Sequence, residues 1–221
     1  MMYYTPVPIE EHDALLGVDF NKRFTKEMQD YYAPYQRKNR TICIGKETWE
    51  YATADSIPGG EWVGAGKNVI DVKAPGIEID VKGISINKIS KGYTTEASVL
   101  QNNKSGTDNF MKLFKDKDFN ALKTMYVDSF VNKVQSTTNL HVLCSVREKS
   151  TKSVHYCLLK VEEKQNDTFI EEMGVSGSRT VDIPMMDPEF GKVYLYIPKR
   201  RLELRLNYPG MSKYTVYSHS I

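Results

Sequence analysis

The sequence has few cysteines, no long apolar run and almost no excess of charge. Cys43, Cys144 and Cys157 are the three cysteines among 221 residues, widely spaced and without a CxxC pair, so neither a disulfide framework nor a zinc ribbon is expected. No apolar run approaches the ~20 residues that cross a bilayer. The acidic start MMYYTPVPIEEHD also lacks the basic and apolar segments of a secretory signal. We therefore expect a cytoplasmic protein with no membrane partner.

The charge balance is nearly even, with 30 Lys and Arg against 28 Asp and Glu and a formal net charge of +2. Such a balance does not identify a nucleic-acid-binding protein, so evidence for one must come from local patches. A chain of this length with 40% hydrophobic residues can bury a core without covalent cross-links. We expect one domain over residues 1–221.

Hydrophobic periodicity predicts an α+β protein with a mixed central β-sheet flanked by helices. Helical spacing covers residues 9–35, ending at Pro34, and residues 108–135. Thr94 or Thr95 is a candidate cap for a short helix that begins at Glu96. Alternating polar and apolar residues predict a strand at 40–44 and two hairpins, formed by 68–74 with 77–86 and by 193–197 with 202–206. Two β-rich runs on either side of a polar turn predict a third hairpin, 140–146 with 154–161.

The first of these hairpins carries the most informative charges. A turn centred on Pro75 and Gly76 places Asp71 opposite Asp80 and Lys73 opposite Glu78. Side-chain alternation then divides the hairpin into a charged face and an apolar face. The charged face holds Asp71, Lys73, Glu78, Asp80 and Lys82, and the apolar face holds Ile70, Val72, Ile77, Ile79 and Val81.

The two opposed aspartates require an explanation, because like charges across a β-ladder repel unless a proton or a cation lies between them. Carboxylate oxygens are ligands that Mg²⁺ or Mn²⁺ prefers. Lys82 follows Asp80 on the same face, where an ammonium group can orient a water and stabilise charge on phosphorus. These groups favour phosphodiester hydrolysis. The alternative interpretation is an ordinary hairpin whose charges face solvent.

Asp71 followed by Asp80-Val81-Lys82 resembles the PD-(D/E)xK nuclease pattern. The stretch GIEIDVKGISINKISKGYTTEASVLQN, residues 76–102, is similar to a run found in many type II restriction endonucleases. Ile70 stands where the pattern has proline. The resemblance implies a restriction-endonuclease-like fold with a catalytic β-hairpin, Asp71 and Asp80 as ligands of Mg²⁺, and Lys82 serving the attacking water. A second alignment, Asp55 with Asp71-Val72-Lys73, has a longer spacing and ranks lower.

Several further residues are candidates for the same chemistry. Glu96 and Gln101 are possible auxiliary site residues, with helix capping and solvation as the alternative. Glu27 is a weaker candidate for a second metal ion, and a metal pair of His141 and His155 stays open. Basic residues predicted to bind DNA phosphates are Lys88, Lys91, Lys199, Arg200 and Arg201.

The resemblance implies a Mg²⁺-dependent type II restriction enzyme, a sequence-specific endonuclease that cuts double-stranded DNA and leaves 5′-phosphate ends. A single site in a small chain suits a homodimer, because two-fold protein symmetry matches a palindromic DNA site. Two other interpretations stay open. One is a non-catalytic nucleic-acid-binding α+β domain, and the other is a PD-(D/E)xK nuclease that cuts non-specifically in DNA repair or defence.

Overall fold

The structure is a computed structural model. It describes residues 2–36, 45–64, 70–90, 92–96, 112–118, 120–121, 136–164, 168, 172–175, 180–196 and 201–218. Helices and two β-sheets make up the described part, and the larger sheet is mixed, so the protein is α+β as predicted. None of the helices in these ranges has the length and apolar character needed to cross a membrane.

Three helices precede the central strands. They are α1 (Ile9–Leu16), α2 (Phe20–Gln36) and α3 (Lys46–Ser56), and a short α4 (Tyr208–Met211) with a 3-10 turn (Ser212–Tyr214) lies near the end of the chain. In α2, Phe20, Phe24, Met28 and Tyr32 recur every fourth residue and are buried. That spacing gives α2 one apolar face, which packs on the sheet.

The larger sheet contains seven strands, β1 (Met2–Pro6), β2 (Glu61–Trp62), β3 (Val72–Ala74), β4 (Ile77–Ile86), β6 (Leu140–Glu148), β7 (Ser153–Glu163) and β12 (Thr215–Ser218). Its order is β1-β7-β6-β4-β3-β2, and β12 also pairs with β7. The β4–β6 pair is parallel and the other pairs are antiparallel. Strand β4 therefore lies inside the sheet, between β3 and β6.

The smaller sheet is antiparallel, with the order β5-β11-β10-β9-β8. Its strands are β5 (Tyr93–Glu96), β8 (Gly174–Val175), β9 (Thr180–Ile183), β10 (Gly191–Tyr196) and β11 (Arg201–Leu206). Buried residues of this sheet, such as Val193 and Leu204, belong to the same core as Val142 and Cys144 of the larger sheet. The two sheets therefore pack face to face.

The larger sheet is covered on both faces. One core lies between this sheet and the helices, and contains Phe24 and Trp49 together with Ile79 and Val81. The other core lies between the two sheets. Strand β4 supplies residues to both, since Ile79 packs under the helices whereas Ile84 packs towards the smaller sheet. Alternation along one buried strand accounts for this division.

The three predicted hairpins are present, with β3 shorter than expected. Val72 pairs with Ile79 and Lys73 with Glu78, which is the predicted register. Gly76 has φ of 78°, a value that glycine adopts readily in such a turn. The apolar face differs from the prediction at one residue. Ile70 precedes β3 and packs on the core between the sheets, because the alternation of β3 begins only at Val72.

Two helix predictions are wrong in part. The segment 9–35 forms two helices rather than one, separated at Gly17 (φ 87°) and Asp19 (φ 61°), and α2 continues through Pro34 to Gln36. Glu96 ends strand β5 instead of beginning a helix, because residues 93–96 pair with β11. Residues 112–115 are helical. The predicted strand 40–44, residues 97–102 and most of 108–135 lie outside the described residues.

Candidate active site

Asp71 lies at the start of the hairpin and is held by backbone and side chain alike. Its N–H donates to the Ile79 carbonyl (2.9 Å), and its own carbonyl accepts from the N–H of Val63 (2.8 Å). The Oδ2 atom accepts from the N–H of Val81 (2.8 Å). The bonds with Ile79 and Val81 hold Asp71 and its buried carboxylate against the middle of β4.

Asp80 and Lys82 lie on the same face of β4, separated in the sequence by one residue. Lys82 Nζ forms an ion pair with Asp80 Oδ1. Both side chains are largely buried, with 7% of Lys82 and 16% of Asp80 exposed. Lys82 is in register with Cys144 on β6. A lysine this deeply buried needs a charged partner, and Asp80 provides one.

Asp71 and Asp80 interact directly. Burial, the charge of Asp80 and a hydrogen bond between the two carboxyl groups raise the pKa of Asp71 to about 6, against the opposing effects of Lys82 and the Val81 N–H. Each of these causes has a physical basis, because burial and a neighbouring negative charge both disfavour the ionised form. The repulsion expected from the hairpin register is therefore present in the folded protein.

A third carboxylate, Glu50, reaches this pair from helix α3. Its side chain is 2% exposed, and its Oε2 accepts from Trp62 Nε1 (2.8 Å). Lys46 Nζ lies 3.0 Å from Glu50 Oε1 and 3.5 Å from Asp71 Oδ1, so one ammonium group bridges the two carboxylates. A Cβ added at Gly64 would lie 2.7 Å from Glu50 Oε2 and 3.3 Å from Asp71 Oδ1. The backbone at Gly64 thus closes over both acids.

Glu50 and Lys46 are the residues that the sequence analysis missed. The sequence contains a weak indication of the role of Glu50, in the helical spacing of its neighbours. Glu50 and Ala54, together with Ile57 just past the end of α3, follow the spacing of one buried helix face. A glutamate on such a face is unusual, since charged side chains rarely enter a core unpaired. That position could have marked Glu50 as a functional candidate.

The other predicted site residues do not join this group in the described structure. Lys88 is exposed just beyond β4, and Glu96 lies on the smaller sheet. Arg201 begins β11, with its side chain outside the described residues. Gln101, Lys91, Lys199 and Arg200 also lie outside the described residues.

The weaker alternatives are separated in space or have other partners. Asp55 accepts a hydrogen bond from Tyr31 Oη (3.0 Å) on the exposed side of α3. Glu27 is near Lys26 on α2 (4.0 Å). His141 and His155 lie towards opposite ends of the β6–β7 ladder, where His141 Nδ1 bonds the Asn139 carbonyl (2.9 Å) and His155 contacts Glu148. The two histidines therefore do not form a metal pair.

The acidic side chains gathered here have the donor atoms that suit a hard divalent cation. Within the described ranges, no group of three or more His, Cys, Asp or Glu side chains has an arrangement that could hold a metal ion. Asp71, Asp80 and Glu50 nevertheless offer only oxygen donors, the ligand type of Mg²⁺. A cation would also relieve the repulsion that raises the pKa of Asp71.

Comparison with known proteins gives no family assignment. No protein-family model, no curated protein and no solved structure matches the chain. A function for the chain must therefore be inferred from the residues around Asp71 and Asp80.

Proposed function

We propose that the protein is a Mg²⁺-dependent endonuclease of the PD-(D/E)xK type, with a restriction-endonuclease-like fold and the β3–β4 hairpin as its catalytic element. Its substrate is double-stranded DNA, cut at a specific sequence to leave 5′-phosphate ends. One observation carries the proposal. Burial and the adjacent Asp80 together raise the pKa of Asp71, and Lys82 is ion-paired to Asp80 beside them.

The residues that would hold Mg²⁺ are Asp71 and Asp80, and Glu50 is a further acid beside Asp71, linked to it through Lys46. Mn²⁺ has the same ligand preference and is expected to substitute. When bound, the ion supplies a water of lowered pKa and offsets negative charge on the phosphodiester.

The remaining catalytic effects come from the side chains themselves. The ion pair with Asp80 holds the Lys82 ammonium group in one position. From there Nζ can donate a hydrogen bond to a nucleophilic water and stabilise the negative charge that develops on the phosphoryl oxygens. Burial excludes bulk water around Lys82 and strengthens this electrostatic effect. Lys82 is therefore assigned the role of positioning the nucleophile and stabilising charge.

The decisive experiment is digestion of plasmid and phage DNA with Mg²⁺. We expect discrete bands from the wild type. Asp80→Asn, Lys82→Met and Glu50→Gln should each lower the cleavage rate by about a hundredfold or more, as loss of a preorganised electrostatic group does. Glu78→Gln is the matched control, because Glu78 lies on the same strand but pairs with exposed Lys73 (3.9 Å). Its rate should stay near the wild-type value.

The possible results separate the three interpretations. A Mg²⁺-dependent smear would support nuclease activity but contradict sequence specificity. DNA binding without cleavage, unchanged in Asp80→Asn, would favour the non-catalytic binding domain and overturn the proposal. Cleavage by Asp80→Asn at the wild-type rate would also overturn it.

A further inference from the structure

Lys46 occupies an unusual position at the edge of the carboxylate group. It is the first residue of α3, and its Nζ lies 3.0 Å from Glu50 Oε1 and 3.5 Å from Asp71 Oδ1. The Lys46 side chain is 63% exposed, whereas Glu50 and Asp71 are 2% and 8% exposed. The ammonium group therefore approaches two buried carboxylates from the solvent side.

The two lysines of the site differ in how firmly they are held. Lys82 is buried on β4 and pairs with Asp80 inside the protein. Lys46 has a largely exposed side chain, and its terminal ammonium group makes the contacts with Glu50 and Asp71. Since most of the side chain is already hydrated, moving the ammonium group outward requires little reorganisation. Of the two lysines, Lys46 is therefore the one that another cation can replace.

Lys46 Nζ has the same electrostatic effect here as a bound divalent cation would have, because either would neutralise Glu50 and Asp71. Two cations cannot share the same carboxylate oxygens without strong repulsion. Binding of a divalent ion to these oxygens would therefore repel the ammonium group and favour its displacement into solvent. The displaced side chain remains at the mouth of the site, within reach of solvent.

We propose that Lys46 is a displaceable counter-ion. It pairs with Glu50 and Asp71 until a divalent cation binds there, and it then turns outward and contacts a phosphate of the DNA. This inference rests on the proposed function, since it assumes that the carboxylates bind a metal ion. It assigns Lys46 a role in metal and DNA binding, distinct from the role of Lys82 beside the nucleophile.

The first test is titration with Mn²⁺ alone, in which electron paramagnetic resonance measures the concentration of the free ion. Lys46→Met keeps the apolar stem and removes the competing charge, so Mn²⁺ should bind about three- to tenfold more tightly. Lys73→Met is the matched control, because Lys73 is 62% exposed and pairs with one carboxylate, Glu78. Its Mn²⁺ affinity should equal that of the wild type.

The second test measures binding of a short DNA duplex in Ca²⁺ as a function of salt. Lys46→Met should bind DNA more weakly, and the slope of log K against log salt should fall by about 1, the value for one lost phosphate contact. Tighter metal binding together with weaker DNA binding is the signature of a displaced counter-ion. A purely structural role for Lys46 would not move the two affinities in opposite directions.

The outcomes distinguish this inference from the proposed function. If the wild type binds Mn²⁺ and cleaves DNA, but Lys46→Met binds Mn²⁺ no more tightly, the counter-ion role is wrong and the nuclease proposal stands. Tighter Mn²⁺ binding with an unchanged salt slope would overturn the phosphate contact. A wild type that neither binds Mn²⁺ nor cleaves DNA would overturn the proposed function itself.

Discussion

Asp71 is an acid that the fold holds in an unfavourable environment. Burial and the neighbouring Asp80 raise its pKa to about 6 from the ordinary 3.8. The folded protein therefore keeps the proton of Asp71 at pH values where the unfolded chain has released it. Stability from this proton is fully present below about pH 4 and is lost as the pH rises through 6. Over that range the effect amounts to about 3 kcal/mol.

Asp71→Asn should remove this pH dependence, because the amide stays neutral and can still accept from the Val81 N–H. The measured quantity is the free energy of unfolding of the variant minus that of the wild type, in a buffer with a metal chelator. This difference should increase by about 2 to 3 kcal/mol from pH 4 to pH 7.5. Urea unfolding at the two pH values measures the difference. Exposed Asp116→Asn is the control. An equal difference at both pH values would contradict the assignment.

The acids of the site were predictable to different degrees. Asp71 and Asp80 face each other because a short turn sets the register of a hairpin, and that register can be read from the alternation of nearby residues. Glu50 comes from a helix whose contact with the hairpin depends on tertiary packing. No spacing rule within the sequence relates residue 50 to residue 71, so the third acid emerged only from the structure.

Helix α3 packs on strand β4 at a glycine. A Cβ added at Gly83 would lie 1.9 Å from Cδ1 and 2.1 Å from Cγ of Trp49. Trp49 is fully buried, so the indole has no free space into which it can move. The helix can therefore approach β4 this closely only because residue 83 has no side chain. Trp49 precedes Glu50 in α3, so the contact with Gly83 also sets the position of Glu50 relative to β4.

Gly83→Ala should destabilise the protein by about 2 to 3 kcal/mol, the usual cost of overpacking a core. It should also weaken Mn²⁺ binding, because any shift of Trp49 moves Glu50. Gly174→Ala is the control, since a Cβ there would meet nothing within 4 Å. Urea unfolding and Mn²⁺ titration of both variants provide the measurements. Equal stability of the two variants would show that α3 moves away from β4 at little cost.

The elements that were predicted well are those whose partners are close in the sequence. The hairpins β6–β7 and β10–β11 have short connections. Two β-rich runs around a polar turn identified the first, and alternation within each strand identified the second. Strand β5 was mistaken for the beginning of a helix because its pairing partner, β11, lies far along the chain. Tertiary pairing overrode a local capping signal in this segment.

The proposed nuclease activity is assigned to one group of carboxylates and lysines in the described part of the chain, around Asp71 and Asp80. One such group per chain suits two copies of the chain, related by the two-fold axis of a palindromic DNA site, with each copy cutting one strand. We therefore expect a homodimer. Sedimentation velocity should give twice the chain mass, and titration with a palindromic duplex should give two chains per duplex. One chain per duplex would contradict the homodimer.

The parallel pairing of β4 with β6 has a consequence for biosynthesis. Asp71, Asp80 and Lys82 all emerge early from the ribosome, but β4 acquires its neighbour only when residues 140–148 have been made. Until then, one side of β4 lacks its ladder of hydrogen bonds, and an isolated hairpin of this kind is marginally stable. A nascent chain therefore carries the residues of the site before the site is rigid, and the proposed DNA-cutting activity would begin only late in synthesis.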